Sequence, residues 1–314
     1  MQVTSEQVSQ DVVRFHVIVD ADETQGALNA AMANFAQYIE PKEGFTFEDA
    51  IKESVGGEEA YQAFCNKIVM TSAGPHIVTG VDIDIILSPE YTAKTNVVAG
   101  EPFEFDMDVY PRPKMTLRSY DPVMVTVFDD VPDQYLEQAA ADECAKAIAD
   151  RIVERIPIPL LEATKKSLYE EFDMFLNQRC GGISRDDYFQ QMGMSAKDFD
   201  KQMSQEARAN LRQDLALDAV FDHIGQELTD DDINYVLKQM GPGHEQEILE
   251  SFRDAGQLYT VLESARRMKA GRWLAQQATI YRVPRPQEQH PMGGGCAGCA
   301  GGDCGPDCDC GGCC

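Results

Sequence analysis

The chain has 314 residues, enough for about two domains of ordinary size, each able to bury its own core. It carries 53 acidic against 27 basic residues, a net charge of −26, so its surface repels phosphate backbones and anionic lipid, which speaks against autonomous nucleic-acid or membrane-surface binding. No run approaches the ~20 apolar residues of a bilayer span, and the opening Met1–Glu6 lacks the basic cap and apolar stretch of a secretory signal, so the expected compartment is the cytoplasm.

Residues 11–19 place Val13, Phe15, Val17 and Val19 on one face and Arg14 and His16 on the other, the period of a strand. Asp20 to Glu23 cap a helix on which Leu28, Met32, Phe35, Ala36 and Ile39 recur at helical spacing. A second helix is expected over residues 58–70, with Tyr61, Phe64, Cys65 and Ile68. Two alternating runs follow. In 81–86, Val81, Ile83 and Ile85 oppose Asp82 and Asp84; in 103–109, Phe103, Phe105, Met107 and Val109 oppose Glu104, Asp106 and Asp108. Both read as antiparallel strands with one packed face and one wet, acidic face. A last strand over 123–128 closes an α+β domain, residues 1–130, in which two helices cover one face of the sheet.

From Val131 the pattern is all-α, and a helical domain with arms is expected over residues 131–280. A helix over 132–155 ends at Ile156-Pro157-Ile158-Pro159, because proline disfavours helical geometry in the residue before it. The next, 159–179, carries Leu160, Leu161, Leu168, Phe172, Phe175 and Leu176 as its inner stripe. Ser184 and Asp187 open a short helix, 195–226 is a long one, and Thr229 caps another that Gly241-Pro242-Gly243 stops. The last helix spans 256–278. Residues 281–314 are rich in Pro, Gly and Cys and read as a disordered tail.

Enzyme chemistry finds little purchase. His16, His76, His223, His244 and His290 are widely separated, without a metal-type pair, and no nucleophile elbow, phosphate loop or dinucleotide fingerprint occurs. The alternating carboxylates read as a solvated strand face, and Asp230-Asp231-Asp232 as a helix start satisfying the dipole. The sharp local signal is in the tail: Cys296, Cys299, Cys304, Cys308, Cys310, Cys313 and Cys314 lie among glycines, with Asp303, Asp307, Asp309 and His290 as harder donors. Four thiolates satisfy one tetrahedral zinc, and Cu(I) also suits them; a redox-labile, low-complexity tail is the competing reading. Cys65, Cys144 and Cys180 read as small buried thiols.

The order strand, two helices, strands, then Phe103-Glu104-Phe105-Asp106-Met107-Asp108-Val109-Tyr110-Pro111 resembles the N-terminal domain of bacterial trigger factors, and Met1-Gln2-Val3 fits it. Ile156–Glu162, Ala207–Leu217 and Leu228–Asp232 resemble that family's C-terminal domain. The resemblance implies an ATP-independent chaperone that binds unfolded or nascent polypeptides. Two departures accompany it. The family inserts a prolyl-isomerase domain of ~80–100 residues, whereas here Val127-Phe128 leads directly to the helix over 132–155, so no enzyme activity is expected. The family also docks on the ribosome through a basic loop reading G-F-R-K-G-x-x-P. Here Gly44-Phe45 continues Thr46-Phe47-Glu48-Asp49, and residues 40–49 hold one lysine against four acids. A loop of that sign is repelled by RNA, and the first 130 residues, with 8 basic and 22 acidic side chains, do not compensate. The alternative reading of Gly44-Phe45 is an ordinary interhelical turn.

A polypeptide-holding surface needs apolar patches that tolerate many sequences, and flexible methionines beside aromatics supply them. The expected client contacts are Phe172, Phe175, Tyr188, Phe189, Met192, Met194, Met203 and Met240, with core packing as the competing use of each. The function expected is therefore a trigger-factor-like chaperone needing no cofactor beyond a possible soft metal on the tail. The rival is a metal-handling protein acting through that tail.

Overall fold

The clearest alternation in the sequence becomes the floor of a core. The computed structural model describes residues 1–36, 44–81 and 83–285. Gln2–Ser9 (β1) and Val12–Val19 (β2) form a hairpin, and Glu90–Ala93 (β3) pairs antiparallel with Phe103–Val109 (β4); the sheet order is β1-β2-β4-β3. Phe15, Val17 and Val19 of β2 and Phe103, Phe105, Met107 and Val109 of β4 form one buried layer. Ala21–Phe35 (α1), Phe47–Val55 (α2) and Glu58–Gly80 (α3) supply the helices, and Val69, Met70, Ala73 and Ile77 of α3 close the core over that layer.

Several expectations are corrected here. The helix expected over 58–70 runs on to Gly80, through Pro75, because Val69, Ala73 and Ile77 keep the i, i+4 stripe buried on the core side. Gly74 is required in it: a Cβ there would overlap the Tyr91 hydroxyl, which rests on the helix backbone. The expected strand over 81–86 is absent among the described residues. Val81 ends α3, Ile85 and Ile86 are both buried, and Ile85 makes one isolated bridge to Pro111; Asp82 lies outside the described residues. A third helix, α2, joins the expected two, opened by a reciprocal cap in which Asp49 N–H donates to Thr46 Oγ1 at 3.1 Å and Thr46 N–H to Asp49 at 3.0 Å.

Nor is the acidic face of β4 simply solvated. Register sets Arg14 opposite Asp108 and His16 opposite Asp106, and Asp106 is buried. Arg14 forks onto Asp108 at 2.6 and 2.7 Å, while Lys94 and His16 Nδ1 each reach Asp106 at 2.7 Å. Burial opposes ionisation of Asp106, but the hydrogen bonds from Lys94 and His16 outweigh it and hold the carboxyl below its ordinary range.

The helical residues form Leu136–Ala149 (α4), Ile158–Arg179 (α5), Arg185–Met192 (α6), Ala196–Ile224 (α7), Asp230–Met240 (α8), Glu245–Asp254 (α9) and Leu258–Gln277 (α10). The helix expected over 132–155 stops early because the chain turns extended to pair with the segment before it: Ile152 bridges Leu117, Val153 N–H donates to Thr116 O at 3.1 Å, and Glu154 accepts from Thr116 N–H at 2.8 Å. The strand Met124–Phe128 (β5) does not close the first sheet. It pairs in parallel with Thr279–Val283 (β6), a strand that sequence reading left in the tail. Among the described residues no helix is long and apolar enough to cross a membrane.

The chain packs as two compact units that interleave along the sequence. Over the described residues, one comprises those of Met1–Arg118, Ile152–Leu160 and Asp214–Ala270; the other comprises Ser119–Arg151, Leu161–Gln213 and residues 271–285. Within the first unit, α8, α9 and α10 have their own apolar cluster around Val236, Leu237, Val261 and Ala265. A charged network accompanies it. Arg112 Nη1 donates to Asp218 at 2.9 Å and to Glu263 at 3.3 Å, and its Nε to Asp84 at 3.1 Å. Arg267 donates to Asp214 at 3.0 Å, to Asp218 at 3.2 Å and to Glu263, and Arg266 reaches Asp84 at 2.5 Å. The Asp218 side chain is 5% exposed and that of Arg112 9%, so these charges depend on each other rather than on water. Burial holds Glu263 above the usual carboxylate range despite Arg267 and Arg112 beside it.

Arg267→Met is expected to lower the unfolding free energy by about 3–5 kcal/mol, because buried carboxylates lose their cation while keeping their burial. Glu263→Gln, which removes a carboxylate whose ionisation burial already opposes, is expected to cost less than half as much. Denaturant unfolding of the two variants beside the parent measures both.

Candidate functional site

The second unit gathers aromatic side chains on three helices. On α5, Leu168 and Tyr169 precede Phe172 by four and three residues and Phe175 follows it by three, so they lie along one side. Helix α6 is fixed at both ends: Asp187 N–H donates to the Ser184 hydroxyl at 3.2 Å, and Gly193 takes φ 64°, the left-handed geometry a helix C-terminus favours. It carries Tyr188 and Phe189. On α7, Phe199 and Met203 are one turn apart.

These side chains form one cluster. Phe172 is its hub, with ring centroids 4.6 Å from Phe199, 5.2 Å from Tyr188, 6.3 Å from Phe189 and 6.2 Å from Phe175. Phe189 and Phe199 lie 4.8 Å apart, and Tyr169 meets Phe199 edge-on at 5.6 Å. Polar contacts brace the outside. Arg185 forks onto Asp173 at 2.6 and 2.5 Å with its guanidinium 4.5 Å from the Tyr169 ring, and Asp200 accepts from the Tyr169 hydroxyl at 3.0 Å and pairs with Lys165 at 2.6 Å. The Arg185 hydrogen bonds hold the Asp173 carboxyl below its usual range, and those of Lys165 and Tyr169 do the same for Asp200.

The expected contact residues separate by exposure. Phe189 and Met203 are buried, and Phe172, Tyr188 and Met194 are half-buried against them. Phe175 is 44% exposed and Met192 57% exposed, so an apolar surface remains open at the margin of a packed cluster. Met240 is also exposed, but it ends α8 in the first unit and does not join this group. Sequence reading missed Phe199 and Tyr169, which complete the cluster. The signal for Phe199 was present: it lies four residues ahead of Met203 on a long helical stretch.

Other candidates are placed as follows. Gly44, at φ 87°, turns the chain towards α2, Phe45 is exposed, and Glu48 and Asp49 occupy the first helical turn, as in an ordinary entry into a helix. Residues 40–43 of the expected docking loop lie outside the described residues. Cys296, Cys299, Cys304, Cys308, Cys310, Cys313 and Cys314, with His290 and the tail aspartates, lie outside them as well. Among the described residues no group of three or more His, Cys, Asp or Glu side chains is arranged to hold a metal ion. Cys65 and Cys144 are buried, as expected, and burial pushes the Cys144 thiol up to about 11, whereas Cys180, just past the end of α5, is only half-buried.

The family model for the bacterial trigger factor protein matches residues 1–143, and that for the trigger factor C-terminus matches residues 133–276. Among curated relatives, trigger factor of Geobacillus sp. (strain WCH70) is 23% identical over 271 residues, covering 78% of this chain and 61% of the relative. That of Rhodococcus jostii (strain RHA1) is 28% identical over 149 residues, covering 45% of this chain and 31% of the relative. The chain thus spans less than two thirds of the length of either. A solved chain from "Promiscuous Substrate Recognition in Folding and Assembly Activities of the Trigger Factor Chaperone" is 10% identical at a TM-score of 0.42, covering 88% of this chain and all of that one. The two family models together run from residue 1 to residue 276, and the chain belongs to the bacterial trigger factor family.

Proposed function

We propose that the protein is an ATP-independent chaperone of the cytoplasm that holds unfolded or nascent polypeptides against apolar side chains of its helical unit and lets them fold on release. The observation that carries this reading is the open margin of the α5–α7 cluster, where Phe175, stacked on Phe172, and Met192, one turn on from Tyr188 and Phe189, stay exposed. Such a surface gains by covering apolar area and places no demand on client sequence. Methionine re-packs around differently shaped partners, while the buried Phe189 and Phe199 keep the platform in place. The net charge of −26 keeps chaperone molecules apart while those patches are open.

The reading includes no catalysis. Only a short turn separates β5, ending at Phe128, from α4, beginning at Leu136, which supports a family member without the isomerase insertion. It also places the protein off the ribosome, on the acidic entry into α2. In sedimentation with purified ribosomes at about 0.1 M salt, where unlike charges still attract across about 10 Å, the protein is expected to stay in the supernatant. Co-sedimentation at stoichiometric levels would overturn that part.

The holding surface has a sharper test. Replacing Phe175 and Met192 together by Ser is expected to leave stability within about 1 kcal/mol of the parent, since both are exposed, yet to weaken suppression of aggregation severalfold. Phe172→Ala is expected to cost about 2–4 kcal/mol, because a ring that anchors four others is removed. Light scattering of a chemically unfolded test protein diluted into each variant reads the first effect, and denaturant unfolding reads the second. Full suppression by the folded double variant would refute the assignment.

For the tail we propose soft-metal binding as a separate property, resting on seven cysteines within residues 296–314. Reduced protein is expected to retain about one zinc ion or more per chain, since four thiolates fill a tetrahedral site. Equal metal content after deletion of residues 292–314 would end that reading.

A further inference from the structure

The sheet of the first unit has two edges, and they are finished differently. On one side β3 is four residues long, and the chain leaves it at once for a loop strapped to α3: Val97 N–H donates to Asn66 Oδ1 at 2.9 Å, Gln62 Nε2 to Val97 O at 3.1 Å, and Asn66 Nδ2 to Asn96 at 3.1 Å. On the other side β1 is eight residues long and pairs with β2 from Gln2 to Ser9; among the described residues no strand lies on its outer edge. All eight residues are exposed.

Natural edge strands are ordinarily shortened, bulged, or armed with lysine or proline. In Gln2–Ser9 there is no lysine, arginine or proline, the single charge is Glu6, and the one irregularity falls at the far end, between Gln7 and Ser9. In an antiparallel pair alternate residues turn both N–H and C=O away from the partner, so about half of β1 offers donors and acceptors to whatever arrives. Its length of about 26 Å is enough for a strand of ordinary size.

The surroundings select the newcomer. Val3, opposite Val17 in the register, faces the core side of the sheet yet stays 39% exposed, because the helices do not extend over β1. At the start of the strand a groove of about 450 Å³ has apolar lining from Met1, Val19, Ala27, Val69 and Ala73 and polar lining from Glu23, Ser72 and His76. That floor takes apolar side chains. Asp20 and Glu23 share the one amino-terminal charge of Met1, at 3.2 and 2.7 Å, and Glu6, opposite Arg14 in the register and 3.4 Å from His16 Nε2, adds a third carboxylate on the exposed strand. A second copy of this chain would bring another −26 to the same place.

We infer that the outer edge of β1 binds an extended polypeptide segment that alternates apolar and basic side chains, adding it to the sheet as a fifth strand. The main chain supplies affinity without regard to sequence, and the groove and carboxylates supply a preference for apolar and cationic side chains. The inference deepens the reading of the protein as a polypeptide holder and adds to it a surface in the first unit.

The test uses the full chain and a short synthetic peptide alternating valine with lysine or threonine, long enough to span β1. Amide hydrogen exchange is expected to slow at alternate residues of Gln2–Ser9 when this peptide is added. N-methylation of the peptide backbone at every second residue is expected to weaken binding about tenfold or more in one parity and little in the other, since only one set of amides faces the strand. The same peptide with glutamate for lysine is expected to bind several-fold less tightly at low salt. Unchanged exchange at Gln2–Ser9, or equal loss in both parities, overturns the inference. Protection of these amides that rises with protein concentration and needs no peptide also overturns it, because a second copy would then occupy the edge. Aggregation suppression measured on the same sample separates the two readings: if suppression persists while the edge stays unprotected, the β1 site alone is lost.

Discussion

The buried charges around Arg112 and Arg267 constrain the first unit more tightly than its apolar clusters do. Hydrophobic burial is non-directional and tolerates small slips, but an arginine out of water needs a carboxylate within a few tenths of an ångström of the right place. Asp84 and Arg112 belong to the chain flanking the sheet, Asp214 and Asp218 to α7, and Glu263, Arg266 and Arg267 to α10. Segments separated by as many as 182 residues are thereby held in register by a handful of bonds. The network holds more carboxylates than arginines, and burial pushes both Asp214 and Glu263 towards the protonated form. Its net contribution is therefore to geometry rather than to a large gain in stability, as replacement of buried ion pairs by apolar groups elsewhere would suggest.

The second unit uses the opposite economy. Its α5–α7 cluster is made of rings, with charge confined to the braces Arg185–Asp173 and Lys165–Asp200 outside. A ring hub tolerates neighbours that are only partly covered, because each centroid contact is local and weak, and loss of one leaves the others. That permits Phe175 to stack on Phe172 and still face solvent. A charged hub could not be left half-open in the same way without its pairs being screened by water.

Legibility in the sequence follows the same division. Strands β2 and β4 and helices α1, α5, α6, α7, α8 and α10 were readable because period and caps agree: Val13 to Val19 and Phe103 to Val109 alternate, Thr229 and Asp232 close a reciprocal cap, and Ser184 accepts from Asp187. Helix α2 was missed although Thr46 and Asp49 form the same cap, because residues 40–49 were weighed only as a loop, whether a degenerate docking loop or an interhelical turn. Residues 81–86 were misread because alternation in a short run reports only that isoleucines must be buried. Ile85 and Ile86 manage that on adjacent positions, without a strand. The β5–β6 pairing joins residues about 155 apart in sequence, and nothing in either run names its partner. At the candidate site the residue types were legible but their exposure was not: Phe189 and Met192 lie on the same short helix, and only packing decides that one is buried and the other open.

A strongly acidic protein with an undefended strand edge and uncovered methionines would be hazardous if its own copies met there. The charge makes the combination workable. Repulsion between like molecules acts over about a Debye length and falls on every approach between copies, whereas an unfolded segment of neutral or positive charge meets no such barrier. The acidity that repels RNA at the entry to α2 is then the same property that keeps the open surfaces available to other chains. It follows that raising salt works in two directions: it weakens discrimination for basic segments and relaxes the repulsion that keeps the copies apart. The apolar capture proposed at Phe175 and Met192 would need neither effect, so the two proposed surfaces differ in kind, one governed by charge and main-chain pairing and the other by area buried.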